Sequence, residues 1–245
     1  MDGPIRHGVT PDLLLFRHVV EDGEDVDLVV AALVAIEFEY SGLDVAHYVE
    51  QVDRFADLAS ALAESEALGG PIHALDAAFF HHLGFRGNQD DYYDPKNSFL
   101  NEVIERRTGI PITLALLYVE LGQRMGLELT GVAFPGHFLV RYHDGDRLTF
   151  IDPFHRGARL DREALHSRLR RVVGPGAELA AEHLEPAPKR TILLRLLTNL
   201  AAIYRRAGDV YRGIAVLERM QVLDPANSRL EAELRALRRR AEGVN

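Results

Sequence analysis

Two side chains near the middle of the sequence have the types and the spacing of a catalytic base and the carboxylate that orients it. Asp144-Gly145 is a typical two-residue hairpin turn, which would pair His143 with Asp146 and set His137 directly opposite Asp152. Directly opposed residues have Cβ atoms about 4.5–5.5 Å apart, so the carboxylate can accept the imidazole N–H and raise the basicity of the ring. The pair would form the base and orienter of a nucleophile–base–orienter triad. A structural His–Asp hydrogen bond at the mouth of the hairpin is the alternative.

The side chain that would complete such a triad cannot be a thiol, because the sequence contains no cysteine. A thiolate nucleophile, a disulfide and a thiolate metal site are therefore excluded. His137, Asp152 and His155 together offer nitrogen and carboxylate ligands, but they lack any standard metal-site spacing, so metal binding by this set is the least favoured alternative. We predict neither a metal nor any other cofactor.

A polar loop at residues 84–97 has the composition of a binding surface. It combines glycine, proline, aspartate and asparagine with aromatic residues, and loops of this length are often functional. The side chains that we expect to contact a substrate or ligand are Arg86, Asn88, Tyr92, Tyr93, Asp94 and Asn97. A packed loop is the alternative, with Asn97 or Ser98 as the N-cap of a helix that ends near Arg107.

The helices that precede this loop are predicted by hydrophobic periodicity. Apolar residues at helical spacing predict a helix over about 45–62. Pro71 suits the first turn of a second helix, which should end at Gly84. Adjacent helical residues point about 100° apart, so His81 and His82 are interpreted as surface residues and not as ligands of one metal.

The elements around the His–Asp pair are a helix and strands, which differ in the period of their hydrophobic residues. Pro111 follows a break at Gly109-Ile110 and suits the start of a helix that runs to about Met125. That helix is apolar over most of its surface, which predicts a buried central position. The predicted strands are Leu129–Phe134, His137–His143 and Arg147–Asp152.

These elements predict an α+β fold in which helix dominates. We expect an N-terminal helical region at residues 1–85, a core with a small antiparallel sheet at 86–173, and a helical tail at 174–245. Gly174-Pro175-Gly176 and Pro186-Ala187-Pro188 mark the change to the tail, and residues 190–242 read as two or three amphipathic helices.

Five strings carry a resemblance to a known family. In chain order they are Gly84-Phe85-Arg86-Gly87-Asn88, Asp91-Tyr92-Tyr93-Asp94-Pro95 with Asn97-Ser98, Arg106-Arg107-Thr108-Gly109-Ile110-Pro111, Pro135-Gly136-His137-Phe138-Leu139-Val140-Arg141, and Asp152-Pro153-Phe154. The chain resembles the SirB-one type of transglutaminase-like protein over about residues 10–240. The resemblance implies a papain-like core whose Cys–His–Asp triad maps onto His137 and Asp152, with the nucleophile position at Pro111. Proline has no nucleophile, and the hydroxyl of Thr113 in the same turn is far less reactive than a thiol.

The tail carries a second resemblance. The residues Asn199-Leu200-Ala201, Tyr204, Gly208-Asp209, Ala215, Leu217 and Asp224-Pro225 resemble a tetratricopeptide repeat. One repeat and a following helix are fewer than the three or so that stand alone, so the tail should pack on the core or on another subunit, and a homodimer is possible. The tail is either a structural hairpin or a peptide-binding groove.

The net charge and the apolar content of the sequence limit the classes of partner that the protein can bind. The net charge is −9, so the chain as a whole repels a phosphate backbone, and we expect no nucleic-acid binding. The basic cluster Arg235 with Arg238–Arg240 suits the C-terminal end of a helix. No apolar run is long enough to span a bilayer, and Met1–Arg6 lacks the order of a secretory signal. We therefore expect a cytoplasmic protein without membrane contact.

Two functional hypotheses follow from these observations. The favoured one is a pseudoenzyme: a transglutaminase-like cleft without its nucleophile, acting as a non-catalytic binding or adaptor protein for a peptide or protein. The alternative is a hydrolase or acyl-transfer enzyme in which His137 is the base, Asp152 orients it, and water or a substrate hydroxyl is the nucleophile.

Overall fold

The fold is described by a computed structural model that covers residues 10–21, 23 and 26–243. The expectation for Met1–Arg6 lies outside the described residues. Helix accounts for 61% and strand for 10% of the structure, which confirms a helix-rich α+β chain with small sheets. None of the helices in the described ranges is long and apolar enough to cross a bilayer.

The α-helices of the described residues are α1 (Pro11–Val19), α2 (Leu28–Val34), α3 (Val45–Ala63), α4 (Pro71–Asp76), α5 (Leu100–Arg106), α6 (Pro111–Arg124), α7 (Arg162–Val173), α8 (Lys189–Ala207), α9 (Val210–Leu223) and α10 (Ser228–Glu242). The strands are β1 (Arg86–Gly87), β2 (Thr108–Gly109), β3 (Glu128–Val132), β4 (Leu139–Asp144), β5 (Arg147–Asp152) and β6 (Ala158–Leu160). α4 continues as a π-helical turn at Ala77–His82, which leaves His81 and His82 exposed, as predicted.

Helix α6 is the central element of the fold. Pro111 is its first residue and every residue from Pro111 to Gly122 is buried, because the sequence there is apolar around the whole helix. α6 contacts α2, α3 and α8 as well as strands β3 and β4. The prediction of a buried central helix from Pro111 to about Met125 is confirmed.

The main sheet is antiparallel with strand order β3-β4-β5-β6, but its hairpin differs from the prediction. Asp144 pairs with Arg147, so the turn residues are Gly145 and Asp146 instead of Asp144 and Gly145. Gly145 has a φ of 57°, and a turn with glycine at its first central position is typical of type II′. The partner of each residue therefore shifts by two positions, which leaves side chains on the predicted faces but removes the direct opposition of His137 and Asp152.

The start of the first strand of this hairpin is also corrected. β4 begins at Leu139 and not at His137. Gly136 has a φ of 67°, and the His137 N–H donates to the Phe134 carbonyl at 3.0 Å. This tight turn occupies the segment that the alternating pattern assigned to a strand.

Four elements near the site had not been predicted. β1 and β2 form a short parallel pair in which Arg86 lies opposite Thr108, and this pair ties the polar loop to the residues just before α6. β6 adds a fourth strand. Helix α7 (Arg162–Val173) lies at the end of the predicted core, in a segment where no helix was predicted.

The tail packs on the N-terminal part of the chain. Arg219 of α9 is 1% exposed and pairs with Asp12 of α1, while the Lys189 ammonium donates to the Val26 carbonyl at 2.8 Å. One buried apolar cluster includes Phe16, α6 and the inner residues of α8 and α9. The prediction that the tail packs on the core is therefore confirmed, while the domain boundaries at 85 and 173 stay a prediction.

Candidate functional site

His137 and Asp152 are in contact, although not across the sheet as predicted. His137 Nε2 lies 2.9 Å from Asp152 Oδ1. Asp152 is the last residue of β5, and His137 lies in the turn two residues before β4. The two residues are thus diagonal to each other, a separation that long side chains can still bridge.

Asp152 has two further hydrogen-bond partners, which stabilise its ionised form. It is fully buried, and its Oδ2 accepts from Arg168 Nη1 at 2.7 Å and from His155 Nδ1 at 2.8 Å. Burial by itself raises the pKa of this carboxyl, but the hydrogen bond and charge of His137, with the charge of Arg168 and the bond from His155, lower the pKa to about 2. The carboxylate is therefore ionised at neutral pH.

Arg168 is the residue at this site that sequence reasoning missed. It lies on α7, whose N-cap Asp161 accepts from the Ala164 N–H at 2.8 Å. Leu165 and Leu169 are buried one turn apart on the same helix. An N-cap aspartate followed by leucines four residues apart is a helix signal, so α7 itself was predictable, whereas the pairing of Arg168 with Asp152 was not.

The hydrogen bond to Asp152 fixes the chemistry of the His137 ring. A carboxylate only accepts, so Nε2 carries the proton, and the lone pair of a neutral ring lies on Nδ1. Nδ1 has no hydrogen-bond partner among the described residues and is not sealed from solvent. The ring as a whole is 10% exposed. His137 is thus a nearly buried, oriented imidazole with one nitrogen able to accept a proton.

The start of α6 carries no free nucleophile in the first turn. Pro111 is buried and has no reactive group. The Thr113 hydroxyl is also buried, lies 2.9 Å from the Asn97 carbonyl, and accepts from the Ile110 N–H at 3.1 Å. These bonds use both the donor and an acceptor site of the hydroxyl, which makes it a structural cap of the helix.

Three of the six side chains that were predicted to contact a ligand form hydrogen bonds or ion pairs with other residues of the protein. Asn97 is fully buried, accepts from Asn88 Nδ2 at 3.0 Å, and donates to the Asp91 carbonyl at 2.7 Å. Asp94 accepts from the Lys96 N–H at 3.0 Å and pairs with Arg106 at 3.2 Å. These three side chains shape the loop, and the next helix takes Phe99 as its N-cap position instead of Asn97 or Ser98.

The other predicted contacts in the loop are open to solvent. Arg86 is exposed, and Tyr92 and Tyr93 are 38% and 57% exposed. The ring of Phe154 lies 6.2 Å from the Tyr92 ring and 6.0 Å from the His137 ring. Phe154 therefore connects the exposed tyrosines to the His–Asp pair.

Helix α8 lies beside the same region. The guanidinium of Arg206 stacks over the Tyr93 ring at 4.2 Å, and Arg195 Nη2 donates to the His137 carbonyl at 3.1 Å. The first helix of the tail thus contacts both Tyr93 and the loop that holds His137.

A metal would face an obstacle at this site. One ligand atom each from His137, Asp152 and His155 lie within 4.8 Å of one another. Arg168 Nη1, however, lies 2.7 Å from one Asp152 oxygen, and a fixed guanidinium repels a cation bound to the same carboxylate. The geometry favours hydrogen bonding over metal ligation.

Comparisons with known proteins place this arrangement in a family. A sequence model described as the transglutaminase-like superfamily matches residues 46–198. A UPF0162 protein of Xylella fastidiosa (strain 9a5c) is 40% identical over 208 residues, which cover 83% of this chain and 74% of that protein. A UPF0162 protein of Vibrio cholerae is 32% identical over 194 residues, covering 76% and 69%. The chain therefore belongs to the transglutaminase-like superfamily and, within it, to the UPF0162 proteins.

A more distant similarity extends to a larger protein. F-box only protein 21 of Homo sapiens is 29% identical over 157 residues, which are 61% of this chain and 24% of that protein. No solved structure matches the chain.

Proposed function

We propose that this chain is a transglutaminase-like pseudoenzyme that binds a protein or peptide segment without modifying it. The observation that carries the proposal is the start of α6. The resemblance sets the nucleophile at Pro111, and the hydroxyl of the same turn, on Thr113, is buried and hydrogen-bonded. The Asp152 carboxylate is shared by His137, His155 and Arg168. We call this group the joint, because it links a strand end, a turn and a helix, and such an arrangement suits a structural role.

Two features support a binding role for the surface next to this joint. Tyr92 and Tyr93 are exposed aromatic residues, and exposed aromatic side chains are enriched where proteins bind partners. They lie beside α8, the first helix of the segment that resembles a tetratricopeptide repeat. We infer that the α8–α9 hairpin is of that type, that the chain is of the SirB-one type, and that self-association uses the same tail.

Peptide display with purified wild-type protein tests the proposal. We expect selected peptides to bind His137→Ala as well as wild type, because His137 acts structurally. Tyr92→Ala and Tyr93→Ala should each weaken binding roughly tenfold, the loss typical of an interface aromatic residue. Leu148→Ala is the control, since Leu148 is 44% exposed on β5, outside the tail. Failure to select any peptide, or unchanged binding by both tyrosine variants, would overturn the proposal.

One observation favours a second candidate function. His137 Nδ1 has no partner within the described part of the chain and reaches solvent, so it could remove a proton from water or from a substrate hydroxyl. A hydrolase or acyl-transfer enzyme of this kind should hydrolyse activated esters faster than His137→Ala does. Equal rates for the two proteins would end this candidate.

A further inference from the structure

Arg195 differs from the other arginines of the structure in its surroundings. Within residues 10–21, 23 and 26–243, three arginines are neither exposed nor within ion-pair distance of a carboxylate: Arg107, Arg190 and Arg195. Arg107 donates to the Ile104 carbonyl at the end of α5 and stacks over the Phe55 ring. Arg190 donates to the Val222 and Leu223 carbonyls at the end of α9. Both therefore close helix ends, where a cation is favourable.

Arg195 has no such role, since it lies in the middle of α8 and donates one hydrogen bond, to the His137 carbonyl at 3.1 Å. Burial lowers the pKa of its guanidinium, and the sole charge effect that opposes this comes from Tyr92. A guanidinium presents five donors in a planar fork that matches a carboxylate. Partial burial of such a group without an anion is unfavourable, and a ligand carboxylate would offset this cost.

The neighbours of Arg195 can complete a carboxylate site. Burial and the neighbouring Tyr93 raise the pKa of the Tyr92 hydroxyl, and the Arg195 charge partly offsets this rise, so the hydroxyl stays protonated and able to donate. Asn199 lies four residues after Arg195, on the same face of α8, and its side chain has no hydrogen-bond partner among the described residues. Arg206, three turns along this face, stacks on Tyr93.

We propose that Arg195, with Asn199 and the Tyr92 hydroxyl, binds a carboxylate of the bound peptide beside His137. This inference deepens the proposed function and rests on it for the identity of the ligand as a peptide. The chemistry is that of an acidic side chain or a peptide C-terminus. The ligand carboxylate would pair with the half-buried guanidinium, and its chain would extend along the exposed tyrosines.

Capped amino acids test the site without a known peptide. The side-chain Nε–Hε resonance of Arg195 is followed by NMR during titration with N-acetyl-glutamate amide, N-acetyl-alanine and the neutral N-acetyl-glutamine amide. We expect saturable shifts with at least one carboxylate and none with the neutral compound. The first carboxylate represents an acidic side chain and the second a C-terminus, so their relative affinities identify the source.

Variants separate binding from a structural effect. In Arg195→Gln the shifts of neighbouring backbone resonances should be lost, whereas Arg147→Gln, at an exposed arginine of the hairpin, should keep them. Tyr92→Phe should weaken binding, and this variant keeps the test valid if Arg195→Gln fails to fold. Absence of saturable shifts, equal shifts in Arg195→Gln, or tighter binding of inorganic phosphate than of either carboxylate would overturn the assignment. Peptide display can fail while these titrations succeed, so the two proposals fail separately.

Discussion

Arg168 of α7 donates a 2.7 Å hydrogen bond to the buried carboxylate of Asp152, at the end of β5. The same carboxylate accepts from His137 and His155. A strand end, a turn and a helix therefore meet at one negative charge. The stability of this joint depends on electrostatic pairing in a site from which water is largely excluded.

Removal of the Arg168 charge should destabilise the fold. In Arg168→Met the buried carboxylate keeps its two histidines but loses its permanent cation, and we expect a loss of about 2 kcal/mol in the free energy of unfolding. Urea denaturation at neutral pH measures the change. Arg171→Met is the matched control, because Arg171 is exposed on the same helix. A comparable loss in both variants would show that the pairing with Asp152 contributes nothing.

Stability should fall at acid pH through the titration of Asp152. Its folded-state pKa of about 2 lies below the ordinary value of 3.8, so the ionised form contributes stability at any pH above 3.8. That contribution is lost as the pH falls from 3.8 through about 2, and it amounts to about 2 kcal/mol.

The measurement is the free energy of unfolding from pH 6 to pH 2 for wild type and Asp152→Asn. Other carboxyls with lowered pKa, such as Asp12 and Asp209, act in both proteins, so the difference in slope isolates Asp152. Parallel curves below pH 4 would contradict the assignment.

The Thr113 hydroxyl should matter for stability and not for chemistry. Thr113→Val removes a buried group that bonds to Asn97 and Ile110, which we expect to cost about 1–3 kcal/mol. Thr113→Ser keeps the hydroxyl and should cost less. Thermal denaturation compares the two variants, and a valine variant as stable as the serine variant would show that these bonds are unimportant.

Gly87 should not tolerate a side chain. A Cβ at this position would lie 2.6 Å from the Phe154 ring and 2.7 Å from the Phe154 carbonyl. Gly87→Ala should therefore displace Phe154, which lies between Tyr92 and His137, and should destabilise the fold by about 1–3 kcal/mol. Gly176→Ala is the control, because nothing lies within 4 Å of its Cβ position. Equal unfolding midpoints for the two variants would contradict this prediction.

The elements that sequence predicted well are those with strong local signals. Helix α6 combines a first-turn proline with an apolar surface, and both signals act within a few residues. The hairpin was located by its Asp-Gly pair, yet its turn was misplaced by one residue, because the choice between neighbouring turns depends on strand pairing beyond the turn. Helix α7 had a local signal in Asp161 that sequence reasoning did not use.

The candidate site was predicted in part. The contact between His137 and Asp152 was predicted correctly. The strand register from which it was predicted, however, differs from the register of the sheet. The third partner, Arg168, and the contact of Arg195 with the His137 loop involve side chains on separate helices. Such contacts have no sequence pattern, since they arise when distant elements pack.

The sequence by itself determined that this protein has no thiol and that a proline begins its central helix. Those facts depend on residue identity and on backbone preferences that act within one helical turn. Only the tertiary structure decided that Asp152 joins three cationic or imidazole groups, and that no carboxylate of the described residues pairs with Arg195. Both follow from the packing of α7 and α8 against the sheet and its loops, where burial fixes which side chains meet and which charges stay without a partner.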